Sequence, residues 1–397
     1  MAEALTLHFP DHVRVAGELL QGQVDVNVPM ALADKMESVK IKLRGSIVTK
    51  ITETEHHAGG ENETHYQHQT VELVRADETL WDQFNTPQGV QVLSCPFRLQ
   101  LPPNLPPSFH HSQFNRKVAI TYSLEVVGVR HGLLHANRRV RKIFSVVPAA
   151  SAWELNASAA LRQGWGGPWK PIATNKEIRH GVLFGEHSQA KMELVIPDLP
   201  SLPMGIGIPF SFHVLTHTKP VQRSELERKH GKLFPTPPAS PAEVEVVLYR
   251  RGHIRVRHKS EEIEEKFALQ GSLGDKASVE AVRTTVDEPE FTDTPDHKDK
   301  GIWKRAVHFE GMFTFPYTPT FSAENAECTY SLRIKVDFHG IGNHLELDFP
   351  VHIDSGAAVP PPYPFNAAYP LSVGPPPMLS LPSAYWKGDD HEWDEEE

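Results

Sequence analysis

The stretch KVAITYSLEVV at residues 117–127 decides the fold. Its apolar side chains occupy every second position: Val118, Ile120, Tyr122, Leu124 and Val126. A period of two places such side chains on one face of a β-strand, while the intervening Thr121, Ser123 and Glu125 point to the other face. The stretch is therefore predicted to be an antiparallel strand with one buried face and one polar face.

The same alternation recurs on both sides of this stretch. It is present at 24–28 and 39–43 and, in the second half of the chain, at 192–196, 244–248, 330–336 and 345–353. Helical periodicity is scarce, and the best candidate for a short amphipathic helix is 72–84. Many strands punctuated by Gly and Pro, each with one polar face, indicate an all-β protein built from β-sandwiches.

The chain also contains an internal repeat. The string TYSL at 121–124 returns at 329–332, and similar punctuation precedes each copy, PSF at 107–109 and PTF at 319–321. Matching flanks around a matching strand pattern favour duplication of one sandwich over coincidence. The sequence therefore predicts two related lobes in tandem.

Proline and glycine content suggests where these lobes begin and end. The alternation breaks between 147 and 176, where four prolines or glycines fall within 164–168. We expect an N-terminal sandwich at 1–150, a hinge at 151–175, a C-terminal sandwich at 176–355 and a proline-rich, acidic, disordered tail at 356–397. Two insertions, 217–243 and 284–301, are predicted to be exposed and mobile or regulatory.

Composition restricts the class of protein. Of the 397 residues, 39% are hydrophobic and 23% are charged, which is typical of a soluble globular protein. A net charge of −10 argues against a nucleic-acid partner. Because no apolar run is long enough for a membrane span and the N-terminus does not resemble a secretory signal, we expect a cytoplasmic location. Cys95 and Cys328 are expected to be core residues, with no disulfide or zinc.

Signatures of catalysis and of cofactors are missing. Residues 205–207 read GIG without the third glycine and helix of a dinucleotide loop, and neither a Walker pattern nor a Gly-x-Ser-x-Gly elbow occurs. His56, His57, His65 and His68 cluster around two glycines, which is more typical of a polar hairpin tip than of a rigid metal site. We therefore predict a protein that is not an enzyme and has no cofactor and no metal.

The most specific motif lies near the end of the chain, where Pro360, Pro361, Pro362 and Tyr363 form a Pro-Pro-x-Tyr sequence. Consecutive prolines hold the backbone in the polyproline II conformation, so little entropy is lost when a partner binds. The tyrosine returns to the face of the first proline after one three-residue turn, and such a face fits the aromatic groove of a WW domain. These four residues are the predicted docking site.

Two groups of basic residues are candidate binding surfaces. One contains Arg138, Arg139, Arg141 and Lys142, and the other contains Arg250, Arg251, Arg255, Arg257 and Lys259. Each is interpreted either as a solvated outer face or as a surface for acidic or phosphorylated cargo tails or anionic lipid. The acidic run at 389–397 either solvates the tail or folds back on a basic strand. Thr236-Pro237, Ser240-Pro241 and Thr294-Pro295 are candidate kinase sites.

Several short runs resemble arrestin-fold proteins. They are VAGE at 15–18, PFRLQLP at 96–102, LPPSF at 105–109 and FPVHI at 349–353. These runs and the Pro-Pro-x-Tyr tail together resemble the α-arrestin branch of the family, the arrestin-related trafficking adaptors. This resemblance implies two immunoglobulin-like β-sandwich lobes that recognise cytosolic tails of membrane transporters or receptors. It also implies a tail that recruits a HECT-type ubiquitin ligase, at the plasma membrane or endosomes.

Two other classes of function stay open at this point. A retromer-like sorting subunit shares the architecture but acts by assembling into a coat, without recruiting a ligase. A ligand-binding or metal-binding β-sandwich protein is the weaker alternative.

Overall fold

The computed structural model describes residues 3–56, 62–86, 89–113, 115–130, 136–179, 187–229, 231, 233–269, 273–274, 281–294 and 300–362. Most of these residues lie in antiparallel sheets that form two lobes, which confirms the all-β prediction. Within this part of the chain, no helix is long and apolar enough to cross a bilayer.

The N-terminal lobe contains the strands β1 (Leu5–His8), β2 (Arg14–Val15), β3 (Leu19–Asn27), β4 (Met36–His56), β5 (Asn62–Asp82), β6 (Val92–Gln100), β7 (Phe109–Gln113), β8 (Arg116–Arg130), β9 (Arg138–Phe144) and β10 (Val146–Val147). A helix, α1 (Val28–Ala33), follows β3, and a 3-10 turn, Gln83–Asn85, follows β5. One sheet has the order β1-β3-β6, and the other has the order β5-β4-β8-β7 with β9 also paired to β8. Short β2 and β10 pair in parallel.

The C-terminal lobe begins after helix α2 (Ala152–Gln163). It contains the strands β11 (Trp169–Arg179), β12 (His187–Pro197), β13 (Leu202–Pro203), β14 (Ile208–His217), β15 (Val221–Gln222), β16 (Val244–Val256), β17 (Lys259–Ala268), β18 (Arg283–Val286), β19 (Glu290–Asp293), β20 (Lys300–Phe313), β21 (Phe321–Ser322), β22 (Ala326–Asp337), β23 (His344–Val351) and β24 (Ile353–Asp354). Helix α3 (Glu225–Arg228) and a 3-10 turn, Pro241–Glu243, lie between β15 and β16. One sheet has the order β11-β12-β14-β20-β15, with β18 and β19 also on β20, and the other has the order β17-β16-β22-β21, with β23 on β22. Strands β13 and β24 pair in parallel.

The repeated string occupies corresponding places in the two lobes. Residues 121–124 lie in β8 and 329–332 lie in β22, and each of these strands pairs with a long neighbour, a short strand and a further strand of its sheet. Tyr122 and Tyr330 are both buried. A parallel pair of two-residue strands, β2 with β10 and β13 with β24, also recurs. These correspondences support duplication of one sandwich.

Apolar side chains from facing sheets fill each lobe. In the N-terminal lobe, Phe97 from one sheet and Leu43 and Tyr122 from the other are almost fully buried. In the C-terminal lobe, Phe210 and Phe313 of one sheet stack with ring centroids 4.2 Å apart, and Leu332 of the other sheet is almost fully buried. Cys95 and Cys328 are buried and unbridged, as expected for small core residues.

The helix predicted at 72–84 is wrong. This stretch belongs to β5, which pairs with β4 over its whole length and ends in the 3-10 turn. Two bulges in the pairing, at Val39/Lys40 and Gly45/Ser46, leave Leu73 and Leu80 without an opposite residue. Each extra residue shifts the period-two pattern by one position, so the apolar spacing imitates that of a helix.

Segments expected to be irregular are partly ordered. The stretch 151–175 holds α2, whose N-terminus is capped by Ser151 and Glu154, and the beginning of β11. The stretch 284–301 contributes β18 and β19 to a sheet, although 295–299 lie outside the described residues. In 217–243, Leu233 is buried. The polar stretches at β11, β18 and β19 are ordered by pairing with β12 and β20.

Candidate functional site

The chain leaves the C-terminal lobe by crossing the junction between the lobes. After β24, the carboxylate of Asp354 accepts a hydrogen bond of 2.8 Å from the backbone N–H of Gly356. The backbone N–H of Ala150 then donates to the carbonyl of Ala357 at 2.8 Å. The first residues of the segment predicted as a tail are therefore tied to the chain that links the lobes.

Two residues later the chain contacts the N-terminal lobe. A Cβ built on Gly17 would lie 3.6 Å from Val359 Cγ2 and 3.7 Å from Pro103. The φ angle of Gly17 is +86°, in the left-handed region that favours glycine. The VAGE run at 15–18 thus forms a tight turn on which Val359 packs.

The proline motif begins directly after this contact. Pro360 is half-buried, and Pro361 and Pro362 are exposed. Tyr363 and the rest of the tail lie outside the described residues. The structure thus places Pro361 and Pro362 at the surface, close to the contact of Val359 with the N-terminal lobe.

A groove between the lobes lies beside the tail exit. It has a volume of about 490 Å³ and is lined by Pro103–Pro107 of the first lobe, Pro148 and Ala149 of the linker, and Phe321–Glu324 of the second lobe. Pro103 belongs both to this groove and to the contact around Gly17. The groove could not be predicted from the sequence because its walls come from four separate segments, the fourth being Leu73 on β5.

The basic residues of β9 do not form one free patch. Arg138 pairs with Asp34 at 3.0 Å, Arg141 with Glu125 at 3.4 Å, and Lys142 with Asp11 at 2.9 Å. The regular register of β8 and β9 also places Arg138 and Lys142 on one face of the sheet and Arg139 and Arg141 on the other. Acidic neighbours therefore neutralise three of these cations within the lobe.

The second basic group is divided by burial. Arg250, expected on a solvated face, is buried at 7% exposure, whereas Arg251, Arg255 and Arg257 are exposed. The reason is the strand period, since Arg250 shares its face with Leu248 and Ile254 in β16. The even spacing of Arg250 from Leu248 and Ile254 is visible in the sequence and could have predicted that Arg250 faces the interior.

Arg250 belongs to a polar contact between the lobes. Its guanidinium pairs with Glu265 on β17 and lies 5.0 Å from the ring centroid of Phe109 on β7. Nδ1 of His111, also on β7, lies 2.8 Å from Oε1 of Glu265, and the His111 side chain is only 2% exposed. This cluster, Arg250, Glu265 and His111, joins the two lobes.

The pKa of Glu265 is set by two opposing effects. Burial raises it, but the hydrogen bond with His111 and the positive charge of Arg250 outweigh burial, so the pKa lies below the ordinary value of 4.5. Glu265 is therefore a carboxylate at neutral pH. Around the cluster, the rings of Phe109 and Phe321 meet edge to face at 5.3 Å, and Arg116 pairs with Glu261 at 2.8 Å.

Part of the predicted histidine cluster lies on the paired strands β4 and β5. His65 and His68 lie on β5 and are exposed, opposite Glu53 and Lys50. His57 lies outside the described residues. Among the residues that the structure describes, no group of three or more His, Cys, Asp or Glu side chains is arranged to hold a metal ion.

Comparison with known proteins finds one similarity, in the first lobe. Residues 4–152 match the family described as "Arrestin (or S-antigen), N-terminal domain", which covers every strand from β1 to β10. No curated protein matches the chain. Residues 4–152 are thus similar to arrestin N-terminal domains.

Proposed function

We propose that the chain, whose first lobe resembles an arrestin N-terminal domain, is an adaptor that links membrane-protein cargo to a WW-domain HECT-type ubiquitin ligase for ubiquitylation and endocytic sorting. Arrestin-family proteins are generally non-enzymatic adaptors, and this supports a role in trafficking without catalysis. The adaptor would act in the cytoplasm, peripherally at the plasma membrane or endosomes. The two lobes and their tail, with the boundaries given above, are its proposed functional units.

The observation that carries the proposal is the position of the proline motif. Pro361 and Pro362 are exposed immediately after Ala357 accepts a hydrogen bond from Ala150 and Val359 contacts the turn at Gly17 of the N-terminal lobe. A pre-extended proline segment costs little ordering entropy on binding, and Tyr363 would supply the aromatic contact to a WW groove. We propose Pro360, Pro361, Pro362 and Tyr363 as the ligase docking site.

The proposed mechanism is tethering. A ligase docked at the junction of the lobes and cargo bound to either lobe would belong to one complex. A short connection between two bound partners gives an effective concentration on the order of millimolar. Ubiquitin transfer to cargo lysines would then be faster without any catalytic residue in the adaptor.

The basic strand β9 is proposed as a secondary contact for acidic cargo tails. Cargo phosphates or carboxylates would have to exchange with Asp34, Glu125 and Asp11, which already pair with three of its cations. Because such an exchange replaces one ion pair with another, its net gain is small and falls with salt. The cargo contact is therefore expected to be weak unless phosphate supplies additional charge.

A pull-down with isolated WW domains tests the proposed docking site. The full chain should bind, and Tyr363→Ala should reduce binding at least about tenfold, the loss expected for one anchoring aromatic residue. Tyr369→Ala is the matched control, because Tyr369 lies in the same tail without two preceding prolines. Equal losses for both variants, or no loss for Tyr363→Ala, would remove the ligase from the proposed function.

A further inference from the structure

A buried arginine in the C-terminal lobe has only backbone partners. Arg305, on β20, is 7% exposed, and its guanidinium donates to the carbonyls of Gly231, at 2.9 Å, and of Leu233 and Pro235. These carbonyls belong to the segment between α3 and β16. Arg305 therefore fixes this segment to the sheet.

The charge of Arg305 lacks an anionic counterpart in the described part of the chain. No carboxylate among these residues pairs with it, and its Nε is buried without a hydrogen-bond partner there. Burial lowers the pKa of Arg305 to about 10. Carbonyl dipoles compensate only part of the cost of burying a full charge, so an anion at this position would be stabilised.

Thr236 is placed to carry that anion. It is exposed, and its hydroxyl donates to the carbonyl of Leu233 at 2.9 Å, the same oxygen that accepts from Nη2 of Arg305. The hydroxyl and the guanidinium therefore meet at one oxygen atom. Because both groups contact this oxygen, a phosphate carried by Thr236 Oγ1 would lie beside the guanidinium of Arg305.

We propose that Thr236 is a phosphorylation site whose phosphate is bound by Arg305. Pro237 follows Thr236, which fits a proline-directed protein kinase. Thr236 Oγ1 forms a bond to the γ-phosphorus of ATP while the bond from that phosphorus to the β–γ bridging oxygen breaks. ADP leaves with the bonding electron pair, and the hydroxyl proton passes to the kinase's catalytic base.

Two other Thr-Pro or Ser-Pro sites lack this environment. The hydroxyl of Ser240 lies 3.4 Å from the carboxylate of Glu243, which would repel a phosphate. The hydroxyl of Thr294 donates to the carbonyl of Lys300 at 2.8 Å, with no buried guanidinium on that oxygen among the described contacts. Thr236 is thus distinguished from both by the charge beneath it.

The phosphate would hold the segment more firmly. Because Pro237 and Pro238 are buried, the segment must open before a kinase can bind it, and local opening of a surface segment is common. On closing, a dianionic phosphate replaces one neutral hydrogen bond by charge-assisted bonds to Arg305, which are stronger. Phosphorylation therefore shifts the segment toward its closed form.

The experiment begins with phosphorylation of the full chain by a proline-directed kinase and ATP, mapped by mass spectrometry. One phosphate per chain is expected at Thr236, and Thr236→Ala should abolish it. Phosphorylated chain should then be cleaved by trypsin after Lys232 about tenfold more slowly than unmodified chain, which corresponds to about 1.4 kcal/mol. Cleavage that is faster or unchanged, or phosphate only at Ser240 or Thr294, would overturn the proposal.

Further measurements distinguish binding of the phosphate by Arg305 from a general effect of phosphorylation on folding. By phosphorus NMR, the second pKa of phospho-Thr236 should lie below its ordinary value of about 6 and return to it in urea. Arg305→Lys, checked for folding by circular dichroism, should lose most of the protection. Inorganic phosphate added to Thr236→Ala should give no protection, and equal protection would show a free-anion site instead and overturn the proposal.

Discussion

Two tyrosines show what the internal repeat does at the scale of single residues. The hydroxyl of Tyr122 donates to the carbonyl of Pro106 at 2.7 Å, and that of Tyr330 donates to the carbonyl of Thr318 at 2.8 Å. In both lobes a buried tyrosine thus fixes the chain that precedes its own strand, as a tyrosine corner does in other β-sandwiches. The repeat predicted the paired strands, but the partners of the hydroxyls required the structure.

Tyr122→Phe and Tyr330→Phe should therefore have similar effects. Each leaves a carbonyl without its donor, and we expect a loss of about 1–3 kcal/mol in the free energy of unfolding. Tyr66→Phe, at a ring that is 64% exposed, is the control and should cost less than about 0.5 kcal/mol. Urea denaturation checks the three variants, and a cost for only one of the buried pair would contradict equivalent roles.

A buried ion pair lies in the VAGE turn. Nη1 of Arg14 donates to Oε1 of Glu18 at 2.7 Å, and both side chains are nearly fully buried. Burial raises the pKa of Glu18. Hydrogen bonds with His12, Arg14 and the Val15 backbone, together with the charge of Arg14, lower this pKa by more than burial raises it, so it lies below 4.5. Its ionised form therefore stabilises the fold above that pH.

Glu18→Gln should cost about 3 kcal/mol at pH 7, because buried Arg14 would lose the carboxylate to which it donates. The pKa of Glu18 is lowered in the folded state, so this contribution is full above the unfolded value of 4.5 and is lost as pH falls through the folded value. The difference between wild type and variant should shrink in that acidic range. Glu193→Gln, whose carboxylate pairs with a half-exposed Lys191, is the control and should cost less than about 1 kcal/mol at any pH.

At the scale of elements, alternation predicted most strands and failed where a contact comes from elsewhere in the chain. Strand β8 shows the period plainly because its pairing with β7 and β9 is regular. In strand β5 the period is interrupted, because Leu73 and Leu80 are extra residues at two bulges. A bulge exists only relative to the partner strand, here β4, so the sequence of β5 alone does not reveal it. Helix α2 was missed although Ser151 and Glu154 form a capping box, a signal that the sequence does contain.

The contact between β7 and β17 also belongs to this scale. Glu265→Gln would remove the only carboxylate that, among the described contacts, pairs with Arg250, and it would weaken the bond to His111. Hydrogen exchange in 109–113 and 259–268 should become about tenfold faster, equivalent to about 1.4 kcal/mol. Glu264→Gln is the matched control on the same strand, because its partner Arg251 is exposed.

The effect of Glu265→Gln also has a defined dependence on pH. The folded pKa of Glu265 is below 4.5, so its contribution to the interface is present above that value and is lost as pH falls through the folded value. Wild type should therefore approach the exchange rates of the variant in acid. Equal rates for Glu264→Gln and Glu265→Gln at pH 7 would show that the cluster does not hold the lobes together.

At the scale of the whole molecule, the sequence predicted two β-lobes, and the match of residues 4–152 to an arrestin N-terminal domain agrees with the resemblance. The sequence did not predict the path that the chain takes after the last strand, β24. The residues from Gly356 to Pro362 have no charge and no alternation, so no period reveals that Ala357 binds the linker and Val359 packs at Gly17. Contacts of this kind depend on the arrangement of both lobes.

One molecule thus carries both the proposed docking site and the proposed cargo contact on β9. The central claim is that ligase recruitment depends on Tyr363, whereas cargo recognition depends on the lobes. Deletion of residues 363–397 removes the docking tyrosine and leaves every described contact of the tail exit in place. A deletion that begins at 356 would also remove Ala357 and Val359 from the lobes, and it is a less selective variant.

Proximity labelling in cells, with the full chain fused to a labelling enzyme, tests this claim most directly. The wild-type chain is predicted to label a WW-domain HECT ligase together with membrane transporters or receptors. Tyr363→Ala is predicted to lose the ligase and keep the membrane proteins, while Tyr369→Ala keeps both. Persistent labelling of the ligase by Tyr363→Ala, or labelling of coat subunits in place of a ligase by the wild type, would contradict the account.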